Sequence, residues 1–516
     1  MDQEAGFVVK YVARFLSEQG SHQRAVALSR WDRERVERAL GPDDPDALSA
    51  RANLATTLAA RGWYGDLDEA IELHRRFIAD MERVFGPDPA DAISSRASLA
   101  DELAARGGPG DLDEAIDLHR RVVADMRRAF GPDHRQTITA SNNLASELRD
   151  RLGPGDLDEA IDLHRWIVVG VERVFGPDHR DTLAACDNLA NELGYRLGPG
   201  DLDEAIDLHR RVVVGGERVF GPDHRDTLSA CDSLASELRD RLGPGDLDEA
   251  VGLNRRVVAD RERVLGPDHL DTLWSRNNLA VALRDRLGSD DLDEAVDLCR
   301  RVAVDGGRVL GPDHLDTLLF RGNLALALVQ RHGPGDVDEA VDLCGRVVAD
   351  MGRVLGPDHL HTLAACDGLA LALGERHGPG DAGEAVNLHR RVVAGSERAI
   401  GPDHPATLLA SNNLAIALRA RGELGDLAEA ISLCGRVVAG LERALGPDHP
   451  FTLSVRDSLA RALGARRGPG DLGEAVKLHK QIVADRKRVL GPYHPDTQES
   501  KSELARTRRE LKKLGQ

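Results

Sequence analysis

Apolar residues recur along this chain at helical spacing, and the pattern breaks at regular places. Between Gly176 and Phe220, the residues Leu183, Cys186, Leu189, Ala190 and Leu193 share one face of a helix predicted over Thr182–Arg196. Gly198-Pro199-Gly200 breaks that helix. Leu202, Ala205, Ile206, Val212, Val213 and Val219 then mark a second amphipathic helix, opened by Asp201-Leu202-Asp203-Glu204, which reads as a capping box. Gly176-Pro177 ends the preceding helix: glycine supplies a left-handed residue and proline prevents continuation. Asp178 stands where it can cap the next helix. The whole stretch recurs. Gly-Pro falls at Gly41, Gly86, Gly131, Gly176, Gly221, Gly266, Gly311, Gly356, Gly401, Gly446 and Gly491, always 45 residues apart. A period of this size predicts an array in which each repeat packs on its neighbours.

Each repeat is thus two antiparallel helices of roughly 16 and 19 residues, about 24 and 28 Å long. Small residues such as Ala190 and Ala205 let the backbones approach. The predicted fold is all-α: an α-solenoid, a right-handed superhelix of stacked helix pairs. Residues 1–40 read as a degenerate N-terminal pair (Gly6–Glu18 and Ser21–Leu40), 41–490 as ten repeats, and 491–516 as a C-terminal capping helix. The outward face of that last helix is basic, with Lys501, Arg506, Arg508, Arg509, Lys512 and Lys513. Eleven pairs and one capping helix give 23 helices.

A formal charge of −19 over 516 residues argues against partners such as nucleic acid or an anionic membrane. Aromatic residues make up 3% of the chain, so the core must be built from Leu, Val, Ile and Ala. The N-terminal stretch is acidic where a secretory signal needs positive charge, and no apolar run approaches the roughly 18 residues of a membrane span. A soluble, cytoplasmic protein is expected. The preference for Arg over Lys, with abundant Ala, Gly and Asp, fits a bacterial genome rich in GC.

Histidine and cysteine invite a metal reading, which the repeat register argues against. Cys186, Cys231 and Cys366 occupy one column of the first helix. Cys299, Cys344 and Cys434 share a second-helix column with His74, His119, His164, His209, His389, His479 and Asn254. Members of a column sit about 10 Å apart, the spacing of packed helices, whereas zinc needs ligands at about 2.0–2.3 Å from one ion. Packing is the expected role of both columns. His179 and its equivalents are turn residues at a helix N-terminus, where a neutral imidazole is favoured. No phosphate loop or dinucleotide fingerprint is present, and no HExxH or GxSxG motif. The expectation is a chain that is not an enzyme and holds neither metal nor cofactor, so that neither zinc nor ATP with magnesium shifts its melting temperature.

The strings GPDHRDTL, SNNLA and ERVFGPDH closely resemble the tetratricopeptide repeats of kinesin light chains and of many bacterial proteins. DLDEAIDL also resembles repeats that accompany caspase-like CHAT peptidase domains. The resemblance covers about residues 41–495. It implies a non-catalytic scaffold that binds a partner peptide or protein domain in a concave groove. The alternative it implies is the sensor arm of a signalling NTPase or CHAT-protease system whose catalytic domain is on another chain. By the same resemblance the groove is lined by first-helix positions equivalent to residues 184, 187 and 191. In early repeats these are small or polar, as in Ser49, Ala52 and Thr56 or Ser229, Asp232 and Ser236. From the sixth repeat the outer columns turn apolar. The predicted partner-binding residues are Trp274, Asn277, Val281, Leu319, Leu326, Leu371, Leu409, Asn412 and Ile416.

Overall fold

The loop chemistry of one repeat, Gly356 to Ile400, explains its two helices. Gly356 takes a left-handed φ of +94°, which turns the chain out of the preceding helix. Its carbonyl accepts the Thr362 hydroxyl at 2.8 Å, closing the loop. His359 is extended and its Nδ1 accepts the His361 N–H at 3.2 Å, so the imidazole, and not the aspartate before it, caps the first helix. Gly380, at φ +89°, precedes the second helix, and Asp381 is that helix's first residue. Asp381 accepts the Gly378 N–H at 2.7 Å and is gripped by the Arg376 guanidinium through Nε at 2.9 Å and Nη2 at 2.7 Å. This two-pronged bond holds the Asp381 carboxyl down to about 2.

Both capping assignments read from the sequence are therefore corrected. The histidine bond recurs at His134, His179, His224, His269, His314, His404, His449 and His494. Asp178 precedes the cap formed by His179. In the first repeat the cap position is Asp44, which accepts the Asp46 N–H at 2.9 Å. Of the supposed capping-box acids, the aspartate closes its own loop and the glutamate is an inter-repeat tie. Arg390 reaches Glu429 of the next repeat at 2.8 Å, as Arg210 reaches Glu249 and Arg300 reaches Glu339.

The computed structural model describes residues 2–63, 65–86, 90–108, 110–151, 155–196, 198, 200–492 and 494–513. Pro87 and Pro199 of the predicted breaks, and 514–516 of the predicted capping helix, lie outside them. The 23 described helices divide between two units, residues 1–196 and 197–516. The first holds α1 (Asp2–Glu18), α2 (His22–Leu40), α3 (Pro45–Arg61), α4 (Asp66–Phe85), α5 (Ala90–Arg106), α6 (Asp111–Phe130), α7 (Arg135–Arg151), α8 (Asp156–Phe175) and α9 (Arg180–Arg196). The second begins with α10 (Asp201–Val219), α11 (Arg225–Arg241), α12 (Asp246–Leu265), α13 (Leu270–Arg286), α14 (Ser289–Val309), α15 (Leu315–Arg331) and α16 (Asp336–Val354). It continues with α17 (Leu360–Arg376), α18 (Asp381–Ile400), α19 (Pro405–Arg421), α20 (Asp426–Ala444), α21 (Pro450–Arg466), α22 (Asp471–Val489) and α23 (Pro495–Lys513). Each unit is an α-solenoid of helix pairs, in which every helix packs on the next and first helices also touch first helices. No described helix is long and apolar enough to cross a membrane.

The core of each unit runs between successive helices, and the histidine–cysteine column lies within it: His74, His119, His389 and Cys299 are all buried. Burial pushes the Cys299 thiol up to about 12, and none of the six cysteines is bridged. Several column histidines meet a carboxylate. His74 Nδ1 lies 3.0 Å from Glu102, and His389 Nδ1 lies 2.9 Å from Asp367.

Two histidines, the cap His449 and the buried column residue His164, make the fold acid-sensitive. Nδ1 accepts a hydrogen bond only while unprotonated, and burial pulls His449 down to about 4. Burial, helped by Arg149, takes His164 to about 4 as well. Both groups are depressed relative to an unfolded value near 6.5. Their stabilising contribution is complete above about pH 6.5 and is lost as the pH falls towards 4. Thermal melts should be flat from pH 8 to 7 and decline between 6.5 and 4. His449→Asn, which caps without titrating, should shallow that decline. An unchanged slope in this variant would mean that the cap at residue 449 does not couple to protonation.

Candidate partner-binding surface

The columns singled out in the sequence do border open space. In the 1–196 unit, Ser49, Ala52, Thr56 and Ser94 line a cavity of about 570 Å³, together with Lys10 and Arg14 of α1 and with His74 and Phe77 of α4. Thr139, Asn142 and Ala184 line a smaller one of about 190 Å³. Hydroxyl and small side chains leave this room because they stop short of the neighbouring helix.

In the 197–516 unit the same columns are filled by larger apolar groups, which are not equally exposed. Leu371 and Leu409 are 40% exposed and Ile416 is 39% exposed, on α17 and α19. Trp274, Val281, Leu319 and Leu326 are half-buried. Trp274 meets the ring of Phe320 edge-on, with centroids 5.0 Å apart at 67°. Leu326 lies against Gly368 of α17. These positions mark an apolar strip of the first helices α13, α15, α17 and α19, whose side chains are most exposed on α17 and α19.

Asn277 and Asn412 do not belong to this strip. They are only 3% and 6% exposed. Asn277 Oδ1 accepts from the Asn323 amide at 2.9 Å, so it ties α13 to α15 and cannot grip a partner's backbone. The middle column faces the second-helix histidine–cysteine column, as the contact of Asp367 with His389 shows. In the tenth repeat the strip closes with a charge: Arg461 binds Asp457 at 2.7 Å and Glu499 at 2.8 Å.

What the sequence reading missed is the order in the charged faces. Arg331 is bound two-pronged to Asp336 and its Nη1 reaches Asp293 of the previous repeat at 3.5 Å. Arg353 ties the last turn of a second helix to Asp313 in the loop that opens its own repeat. The signal was available, since Arg331, Asp336, Arg353 and Asp313 recur with the 45-residue period, as Asp293 does until Gly383, Ala428 and Gly473 replace it.

A family model for the tetratricopeptide repeat matches residues 47–91, 110–136, 182–226, 227–271, 272–316, 317–361, 362–406, 407–451 and 452–496. No curated protein matches the chain. Among solved structures, the nearly identical TPR-like repeats of a Podosopora anserina protein described as a kinesin light chain are 31% identical. That match covers 43% of this chain and 97% of the other, with a TM-score of 0.35. BtubC from P. vanneervenii is 18% identical, over 48% of this chain and 92% of that one, with a TM-score of 0.38. A Pyrococcus horikoshii signal-transduction ATPase of the STAND class, with a tetratricopeptide repeat sensor, is 10% identical. It covers 89% of this chain and 73% of that one, with a TM-score of 0.43.

Proposed function

The chain belongs to the tetratricopeptide repeat family, and from that premise we propose that it is a non-catalytic interaction scaffold whose apolar strip on α13–α19 docks a segment of a partner protein. The observation that carries this reading is the exposure of Leu371, Leu409 and Ile416 on columns that are small or polar in the early repeats. Contiguous exposed apolar area marks interaction sites. A partner segment that presents two or three apolar side chains at helical or extended spacing would match it. The six unbridged cysteines accord with work in a reducing compartment such as the cytoplasm.

A photo-crosslinking residue placed at position 371 tests this in the producing cell. Adducts with a defined protein should form there, and the same residue at position 229 in α11 should give none with that protein. Equal adducts from both positions, or none at 371, would remove the strip from the account.

A further inference from the structure

Among the described residues, one group of three metal-competent side chains has ligand atoms all within 4.8 Å: Asp101 of α5, His119 of α6 and Glu147 of α7, in the 1–196 unit. The column argument against metals considered each column alone, and this group is drawn from three adjacent helices. His119 is fully buried, with Nδ1 2.9 Å from both carboxylate oxygens of Glu147. That contact makes Nδ1 the donor and leaves Nε2 with a lone pair. Nε2 is buried without a hydrogen-bond partner and points at the Asp101 carboxylate, 3.6 Å away. In that tautomer Nε2 and the Asp101 carboxylate are two acceptors that face each other 3.6 Å apart.

We propose that this gap is a binding site for a divalent first-row cation of the zinc class, held by Nε2 of His119 and the carboxylate of Asp101, with Glu147 fixing the ring from behind. Nitrogen and oxygen ligands at about 2.0–2.2 Å in tetrahedral array lie about 3.3–3.5 Å from each other, close to the observed separation. A ligating histidine that gives its other N–H to a carboxylate is the usual outer-shell arrangement and raises ligand basicity. Charge favours a cation. Besides His119, the groups acting on Asp101 are Glu147 and Asn143, with no arginine or lysine among them. Asp101 stands on the open side, its side chain 59% exposed, so a cation can enter and water can complete the shell. The neighbouring repeats lack the arrangement: Thr56 and Ser146 occupy the position of Asp101 opposite His74 and His164.

The test is calorimetric titration of the full chain with zinc chloride, alongside thermal melts with and without zinc. The wild type should bind one zinc per chain at this site and gain several degrees in melting temperature. Asp101→Asn, at an exposed position, should melt like the wild type without zinc, bind at least tenfold more weakly and lose the zinc-dependent gain. Glu147→Gln should weaken binding by about tenfold while retaining one-to-one stoichiometry. Zinc affinity and stabilisation unchanged in Asp101→Asn would overturn the site, as would a wild type that binds no stoichiometric zinc.

Discussion

Replacing Phe320 by alanine is expected to be among the most destabilising single changes in the 197–516 unit, at about 3–5 kcal/mol. Phe320 on α15 is the largest fully buried side chain described. Its ring lies against the backbone of Gly306 on α14, where an added Cβ would come within 3.0 Å of the ring, and it supports Trp274 from α13. One side chain thus joins three successive helices. Removing it leaves a cavity that rigid helix pairs cannot collapse into, so the cost should fall at the upper end for a core truncation. Because repeats stabilise one another through nearest-neighbour interfaces, the damage should be local. Urea titration should show an early transition in hydrogen exchange across α13–α16, with α20–α22 protected to higher denaturant. Leu319→Ala, half-buried on the same helix, should cost clearly less. A loss below about 1 kcal/mol for Phe320→Ala would contradict this packing. Trp274 inherits a consequence: because it rests on Phe320, truncating it disturbs core and surface together and cannot separate binding from folding.

Periodicity and glycine–proline punctuation revealed the helices because both act locally. Apolar residues at helical spacing define a buried face whatever packs against it, and Gly356 or Gly401 turns the chain through its own backbone freedom. The caps were misread for an equally local reason. Asp178 and His179 both carry a side-chain acceptor, and which one caps depends on which is extended, a backbone fact that composition does not encode. The first repeat held the clue, since Asp44 stands where the third and later repeats have histidine.

The surface was only partly legible. Residues i and i+7 differ by about 20° around a helix, and i+3 lies about 60° away. A first helix is clasped by its own second helix and by the second helix of the preceding repeat, which leaves a narrow open strip. Leu409 and Ile416 lie in that strip, whereas 60° of rotation carries Asn412 into the interface. The metal-competent trio was illegible because it joins residues from three helices, 18 and 28 positions apart in the chain.

The largest expected effect on binding comes from Leu371→Asp combined with Leu409→Asp. Each leucine, 40% exposed before a partner covers it, contributes roughly 0.6–1.2 kcal/mol, that share of the value for full burial. Ordering the partner segment offsets much of the total, giving a wild-type affinity of about micromolar, near −8 kcal/mol. The two aspartates remove the apolar contact and bring carboxylates that would be buried without a counter-charge. The loss should reach at least a hundredfold, about 2.8 kcal/mol. Both leucines are 40% exposed, so each substitution also removes the packing of the part already buried, about 1–2 kcal/mol, which a fold stabilised repeat by repeat should tolerate. The direct measurement is a binding titration of the crosslinked partner, once identified, against wild type and the double variant, with melting temperatures recorded for both. The account predicts at least a hundredfold weaker binding in a double variant that remains folded at the assay temperature. Undiminished affinity in a double variant that folds normally would contradict it.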